Sequence, residues 1–124
     1  MEQKLLTPLE LKVMNILWQL KQAFVKEIIN EWPEEPKPKY NTISTIVRIL
    51  EEKGYAGHEA QGRSHRYHPL ITKGKYQQKL VRNVLDNVFS GSLTGMVSSL
   101  INQEQVSSDE LDALKKLIED SDEK

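Results

Sequence analysis

The spacing of apolar residues divides the first part of the chain into helical segments. Apolar positions recur three and four residues apart, which predicts amphipathic helices from about residue 8 to 20 and from 23 to 32. Thr7, Pro8 and Glu10 form the pattern of a capping box with proline at the first helical position. The buried stripe predicted for the first helix is Leu9, Val13, Ile16, Leu17 and Leu20.

A third helix and a hairpin follow a proline-rich loop at 33–39. The helix is predicted from about Tyr40 to Lys53, and Gly54 stands where a left-handed C-terminal residue is needed. Beyond it, extended segments at 55–60 and 65–71 flank a polar turn at 61–64, which predicts a hairpin with a longer loop. Three helices followed by a hairpin are the layout of a winged helix-turn-helix domain, which we assign to residues 1–72.

Residues 73–124 are predicted to form a second unit of three helices, so the fold class is mainly α with a small β wing. About 50 residues are too few to bury all the apolar stripes of three helices in a monomer. We therefore expect this unit to dimerise, as a small DNA-binding domain reading a palindromic site requires. The expected dimerisation residues are Tyr76, Leu80, Val84, Val88, Leu93, Met96, Val97, Leu100, Ile101, Leu111, Leu114 and Ile118.

The outer face of the third helix is rich in short polar side chains instead of Glu and Lys. Asn and Arg at such positions can hydrogen-bond adenine and guanine edges in a DNA major groove. A solvated or protein-binding helix surface is the alternative interpretation. The residues expected to read bases are Asn41, Thr42, Ser44, Thr45 and Arg48.

The net charge of −1 conceals a strongly uneven distribution of charge. Residues 37–82 contain ten Lys or Arg and three Asp or Glu, a net charge of +7, whereas residues 83–124 carry −6. The basic block coincides with the third helix and the hairpin, where contact with phosphates depends on the local potential. The expected DNA-backbone and wing contacts are Lys37, Lys39, Tyr40, Arg63, Ser64, Arg66, Lys73 and Lys75.

Composition and motifs give little support to other classes of function. The chain has no cysteine, no apolar run long enough to span a membrane and no apolar leader segment, so we expect a cytoplasmic protein. No catalytic or phosphate-binding motif occurs, and we predict neither an enzyme nor a cofactor. His65 and His68 would lie on opposite faces of a strand, which argues against a shared metal ion.

Several stretches resemble the BlaI/MecI family of bacterial repressors of penicillinase and methicillin-resistance genes. The matching stretches are TPLELKVMNILW at 7–18, VKEII at 25–29, YNTISTIVRILEEKGY at 40–55, RSHRYHPLIT at 63–72 and SSDELDALKKLI at 107–118. This resemblance implies a winged-helix domain, a helical dimerisation domain and repression by binding of an operator in double-stranded DNA.

The resemblance also implies release of repression by proteolysis. In that family a membrane sensor metallopeptidase perceives the antibiotic, and the repressor is then cut in its dimerisation domain at an Asn-Phe bond. The corresponding position here is Ser99–Leu100, and the Asn-Phe pair is absent. A winged-helix module that binds a protein instead of DNA is the alternative function.

Overall fold

The computed structural model describes residues 4–102 and 107–122, which form six helices and one two-stranded antiparallel sheet. This is the mainly helical fold with a β wing that the apolar pattern predicts. The helices are α1 (Pro8–Leu20), α2 (Val25–Asn30), α3 (Tyr40–Glu52), α4 (Lys73–Asn87), α5 (Leu93–Asn102) and α6 (Ser108–Asp122). The strands are β1 (Ala56–Gln61) and β2 (Ser64–Pro69).

The chain divides into two compact units, the first ending at Leu80 and the second beginning at Val81. The first unit holds the hydrophobic core. Three helices surround it, and the sheet joins them through a bridge in which Ala23 and Tyr67 exchange two backbone hydrogen bonds of 2.8 Å. The largest fully buried side chains are Tyr55, Met14, Leu17, Ile28, Ile43, Leu50, Val13 and Val47.

The N-terminal cap of α1 follows its sequence signal, but the buried stripe differs at its start. Thr7 accepts a hydrogen bond from the Glu10 amide at 3.3 Å, and the Glu10 carboxylate accepts one from the Thr7 amide at 2.9 Å. The prediction that Leu9 is buried is wrong, since its side chain is 40% exposed. Met14 is instead fully buried. The first inward-facing position of the helix is taken by Glu10, whose buried carboxylate accepts a hydrogen bond from the Lys53 ammonium.

The hairpin is tighter than the sequence indicated. Gln61 pairs with Ser64, so the turn consists of only Gly62 and Arg63, and the prediction of a longer loop is wrong. Gly62 has a φ of 64°, the sign that a two-residue type II′ turn requires at its first central position. This geometry places Arg63 at the tip of the wing.

The first turns of α4 belong to the first unit. The Tyr76 side chain is only 3% exposed, with its ring 5.7 Å from that of Tyr55 and 6.1 Å from that of Trp18. Its hydroxyl oxygen accepts a hydrogen bond of 3.0 Å from the Leu6 amide. The Trp18 indole donates one of 2.9 Å to the carbonyl of Ile71. These contacts fix the start of α4 in the core.

The second unit has a different character. From Val81 onward, none of the side chains that the structure describes is fully buried. Its exposed large apolar side chains are Val81, Val88, Leu93, Leu100, Ile101, Leu117 and Ile118. No helix within the described residues is long and apolar enough to cross a membrane.

Candidate nucleic-acid interface

The polar face of α3 lies opposite its buried stripe. Asn41, Thr42, Thr45 and Arg48 are exposed and Ser44 is half-buried, whereas the four apolar positions behind them belong to the core. This separation arises because the apolar and polar residues each repeat every three to four positions along the same helix. The structure therefore presents the residues expected to read bases as one surface.

Local hydrogen bonds orient two of these side chains along the helix. The Thr45 hydroxyl donates to the Asn41 carbonyl at 2.9 Å, and Arg48 donates from Nε to the Ser44 carbonyl at 3.4 Å. Thr45 therefore retains its acceptor lone pairs for an external donor. Arg48 retains its terminal guanidinium nitrogens, which make no hydrogen bond with the described residues. These nitrogens are therefore available to an external acceptor.

The two arginines of the wing differ in their surroundings. Arg63 is exposed at the turn beside exposed Ser64. Arg66 lies directly across the ladder from Glu59, and their charged groups are 3.6 Å apart. Arg66 is thus partly neutralised by a neighbour on β1, whereas Arg63 remains the cation at the tip of the wing.

A cleft of about 560 Å³ separates α3 from the wing. Its walls come from the start of α2, the first half of α3 and the turn end of the hairpin. Burial raises the pKa of the Tyr67 hydroxyl in this cleft, and the nearby Glu51 carboxylate adds to the effect. The polar and aromatic side chains that line it include Phe24, Lys26, Tyr40, Ser44, Arg63, His65 and Tyr67.

The lysines of the basic block lie at the borders of these elements. Lys37 donates to the Asn30 carbonyl at 2.8 Å, which ties the proline-rich loop to the end of α2. Lys39 is exposed at the N-cap of α3, and exposed Lys73 and Lys75 lie in the first turn of α4. All of these lysines belong to the first unit.

Three histidines on the wing do not form a metal cluster. No group of three metal-ligating side chains suited to an ion occurs in the described parts of the chain. The rings of His58 and His65 stack at 4.1 Å with an angle of 12°, and His58 Nδ1 lies 2.6 Å from a Glu51 carboxylate oxygen. Sequence reasoning missed this link between α3 and the wing, because it depends on the direction in which the hairpin leaves α3, which local spacing does not determine.

The residues expected to dimerise fall into three groups. Tyr76 is buried in the core of the first unit, and Leu80 packs against that core while remaining half-buried. Half-buried residues of the second unit are Val84, Met96, Val97, Leu111 and Leu114. Its exposed residues are Val88, Leu93, Leu100, Ile101 and Ile118.

The three-helix layout with its two-stranded wing, and the polar outer face of the third helix, define a winged helix-turn-helix domain. A protein-family model described as penicillinase repressor matches residues 6–120. The chain therefore belongs to the penicillinase repressor family.

Similar proteins include named repressors. The methicillin resistance regulatory protein MecI of Staphylococcus aureus strain N315 is 27% identical over 88% of this chain and 89% of its own. The penicillinase repressor of Bacillus licheniformis is 28% identical over 90% of this chain and 87% of its own. The solution structure of the DNA binding domain of the repressor BlaI matches with a TM-score of 0.52 and 28% identity, covering 60% of this chain and 92% of that one.

Proposed function

We propose that this protein is a DNA-binding transcriptional repressor that acts as a homodimer on a palindromic operator. The observation that carries the proposal is the exposed hydrogen-bonding face of α3 beside the cationic tip of the wing. Membership of the penicillinase repressor family supports it. The similarity of the chain to the solved DNA binding domain of the repressor BlaI supports the same function.

In this proposal α3 selects the sequence and the surrounding cations supply most of the affinity. A major groove about 12 Å wide accommodates a helix, and Asn41 and Arg48 can each form paired hydrogen bonds with a base edge. Contacts with phosphates come from the wing tip and the lysines at the element borders, and they fix the position of the helix in the groove. The cleft between α3 and the wing is then open to one strand of the DNA backbone.

The second unit supplies the dimer contact. Apolar side chains such as Leu93, Ile101 and Ile118 are 57%, 43% and 54% exposed. Burying them against a second copy recovers roughly 25 cal/mol for each Å² of apolar surface. A two-fold axis would also present two α3 helices to the half-sites of a palindrome.

Repression would end by proteolysis in the second unit, downstream of a membrane sensor metallopeptidase. The proposed cleavage point, Ser99–Leu100, lies inside α5, where the Ser99 hydroxyl donates to the Met96 carbonyl at 2.7 Å. Local unwinding of α5 must precede cleavage there, because a protease binds its substrate in an extended conformation. Cleavage would remove the dimer contact and with it the simultaneous binding of two half-sites.

The decisive experiment is selection of duplexes from a random 30-base-pair pool by the full chain, followed by titration of the selected duplex. We expect a palindromic consensus bound by two protomers. If six to ten phosphates are contacted, affinity should fall by roughly 10³- to 10⁵-fold between 50 and 200 mM salt.

A winged-helix module that holds a protein partner is the competing function. It predicts no selected consensus and no retention of any duplex, even at low salt. Either a consensus without two-fold symmetry or a single bound protomer would contradict the palindromic part of the proposal alone.

A further inference from the structure

We propose that Glu51, His58 and His65 form a positioning device, here called the wing bridge, that sets the reach of Arg63 relative to α3. The inference rests on the proposed DNA-binding function and deepens it. It assigns a role in recognition to three side chains that do not themselves line the base-reading face.

The first contact of the wing bridge joins the last turn of α3 to β1. His58 Nδ1 lies 2.6 Å from Glu51 Oε1. Because a carboxylate oxygen only accepts, the ring nitrogen is the donor in this hydrogen bond. The two side chains are 31% and 32% exposed, so the bond is partly shielded from water.

The second contact carries this attachment across the hairpin towards its tip. The His58 ring stacks on the His65 ring, with centroids 4.1 Å apart. In the ladder His58 pairs with Tyr67, whereas His65 pairs with Ala60, one same-face position nearer the turn. His65 is therefore held two residues from Arg63.

The tip of the wing has few other contacts within the described residues that would fix its direction. Within the described residues the sheet has only two strands, and an isolated hairpin is marginally stable. The base of β2 is fixed by the bridge between Tyr67 and Ala23, but residues 61–65 are all exposed. Fixing the direction of the hairpin before DNA arrives reduces the conformational entropy lost when its tip binds a phosphate.

The test compares Glu51→Ala with Glu52→Ala in the full-length protein. Glu52 is the next residue of α3 and is exposed, so both variants lose one negative charge near the DNA. The probe is the duplex selected by the parent protein from the random pool. We expect Glu51→Ala to bind it about three- to tenfold more weakly than Glu52→Ala, with a salt slope lower by up to about one.

A cycle with Arg63→Ala separates positioning from a general loss of structure. In the Arg63→Ala background, Glu51→Ala should change affinity by less than about twofold, because the group that it positions is gone. Glu51→Gln, which keeps the acceptor oxygen, should restore most of the affinity. His58→Phe, which keeps a ring against His65 but removes the donor nitrogen, should behave like Glu51→Ala.

The outcomes are distinct. The wing bridge is overturned if Glu51→Ala weakens DNA binding equally with and without Arg63. It is also overturned if the Glu51→Ala and Glu52→Ala variants bind the duplex with equal affinity. Neither result bears on the repressor function. If Glu51→Ala lowers thermal stability so far that it cannot be titrated, the His58→Phe and Arg63→Ala pair decides by the same criterion. Failure of the parent protein to select any duplex would instead refute the proposed function.

Discussion

Lys53, the C-cap residue that follows α3, donates a hydrogen bond of 2.6 Å from Nζ to Oε1 of Glu10 in the first turn of α1. The same carboxylate oxygen accepts the Thr7 amide of the capping box. One side chain thus closes the N-terminus of α1 and attaches the far end of α3 to it. The carboxylate is nearly buried, since Glu10 is 6% exposed.

This contact predicts a component of stability that is lost in acid. Burial alone would raise the pKa of the Glu10 carboxyl, but the hydrogen bonds from Lys53 and Thr7 and the charge of Lys53 outweigh it and lower the pKa below its ordinary 4.5. A lowered pKa in the folded state means that the stabilisation is complete above about 4.5 and is lost as the pH falls through the folded value. Urea unfolding followed by tryptophan fluorescence at a series of pH values measures this component.

The variant Glu10→Gln should lower the free energy of unfolding at neutral pH by roughly 1 to 3 kcal/mol, because a charge-assisted hydrogen bond is lost. It should also make the free energy of unfolding depend less steeply on pH below 4.5. Glu52→Gln, which changes an exposed carboxylate of α3, is the control and should do neither. If the Glu10→Gln protein loses stability at low pH as the parent does, other carboxylates are responsible for that loss.

Tyr76 gives a second prediction, on the extent of the DNA-binding unit. Its buried ring contacts Trp18 and Tyr55, so Tyr76→Ala should destabilise the first unit by roughly 3 to 5 kcal/mol. Tyr76→Phe keeps the ring but leaves the Leu6 amide without its acceptor, and should cost about 1 kcal/mol. Thermal unfolding monitored by Trp18 and Trp32 fluorescence distinguishes the two. Unchanged melting of Tyr76→Ala would mean that α4 is not part of this core.

Much of this architecture follows from local signals in the sequence. The Thr7 cap, the apolar repeat of α3 and the glycine that follows it are each decided within a few residues, and the structure has a helix or its end at each of them. The polar face of α3 is equally local, because a helix places residues three and four apart side by side.

The remaining features depend on pairings that are distant in the sequence. Glu10 is buried because Lys53, 43 positions away, meets its charge, and a pattern of apolar residues assigns such a position to solvent. The Glu51–His58 contact depends on the angle at which the hairpin leaves α3. Local spacing does not determine that angle, so neither contact was predictable.

The turn of the wing provides a third prediction. Gly62 has a φ of 64° with nothing within 4 Å of an added Cβ, so Gly62→Ala meets no clash but adopts a conformation that costs roughly 1 to 2 kcal/mol. Gly74→Ala is the matched control, since it also has open space and lies in the first turn of α4, where alanine is favoured by up to about 1 kcal/mol. We therefore expect Gly62→Ala to lower the melting temperature and Gly74→Ala to raise it. The same shift in both variants would contradict the type II′ turn.

Recognition by α3 gives a fourth prediction. Arg48→Ala should relax the preference for one base pair of each half-site, at a cost of about 1 to 3 kcal/mol. Lys73→Ala, which also removes one positive charge, should weaken binding to all sequences evenly and lower the salt slope by about one. Binding measured against duplexes substituted at each position compares the two patterns. Unaltered selectivity of Arg48→Ala would exclude this arginine as a base contact.

The last prediction concerns the dimer. Ile118→Glu places a charge on an exposed apolar position of α6, and a charge buried at the centre of an interface should weaken association by roughly 2 to 4 kcal/mol, or about 30- to 1,000-fold. Leu70→Glu makes the same change at a 60% exposed position of the first unit and should leave the dimer unchanged. Sedimentation velocity over a range of protein concentrations gives both dissociation constants. Since a single protomer retains α3 and the wing, Ile118→Glu should still bind an isolated half-site with the parent's affinity. Dissociation caused by Leu70→Glu and not by Ile118→Glu would move the dimer contact to the first unit.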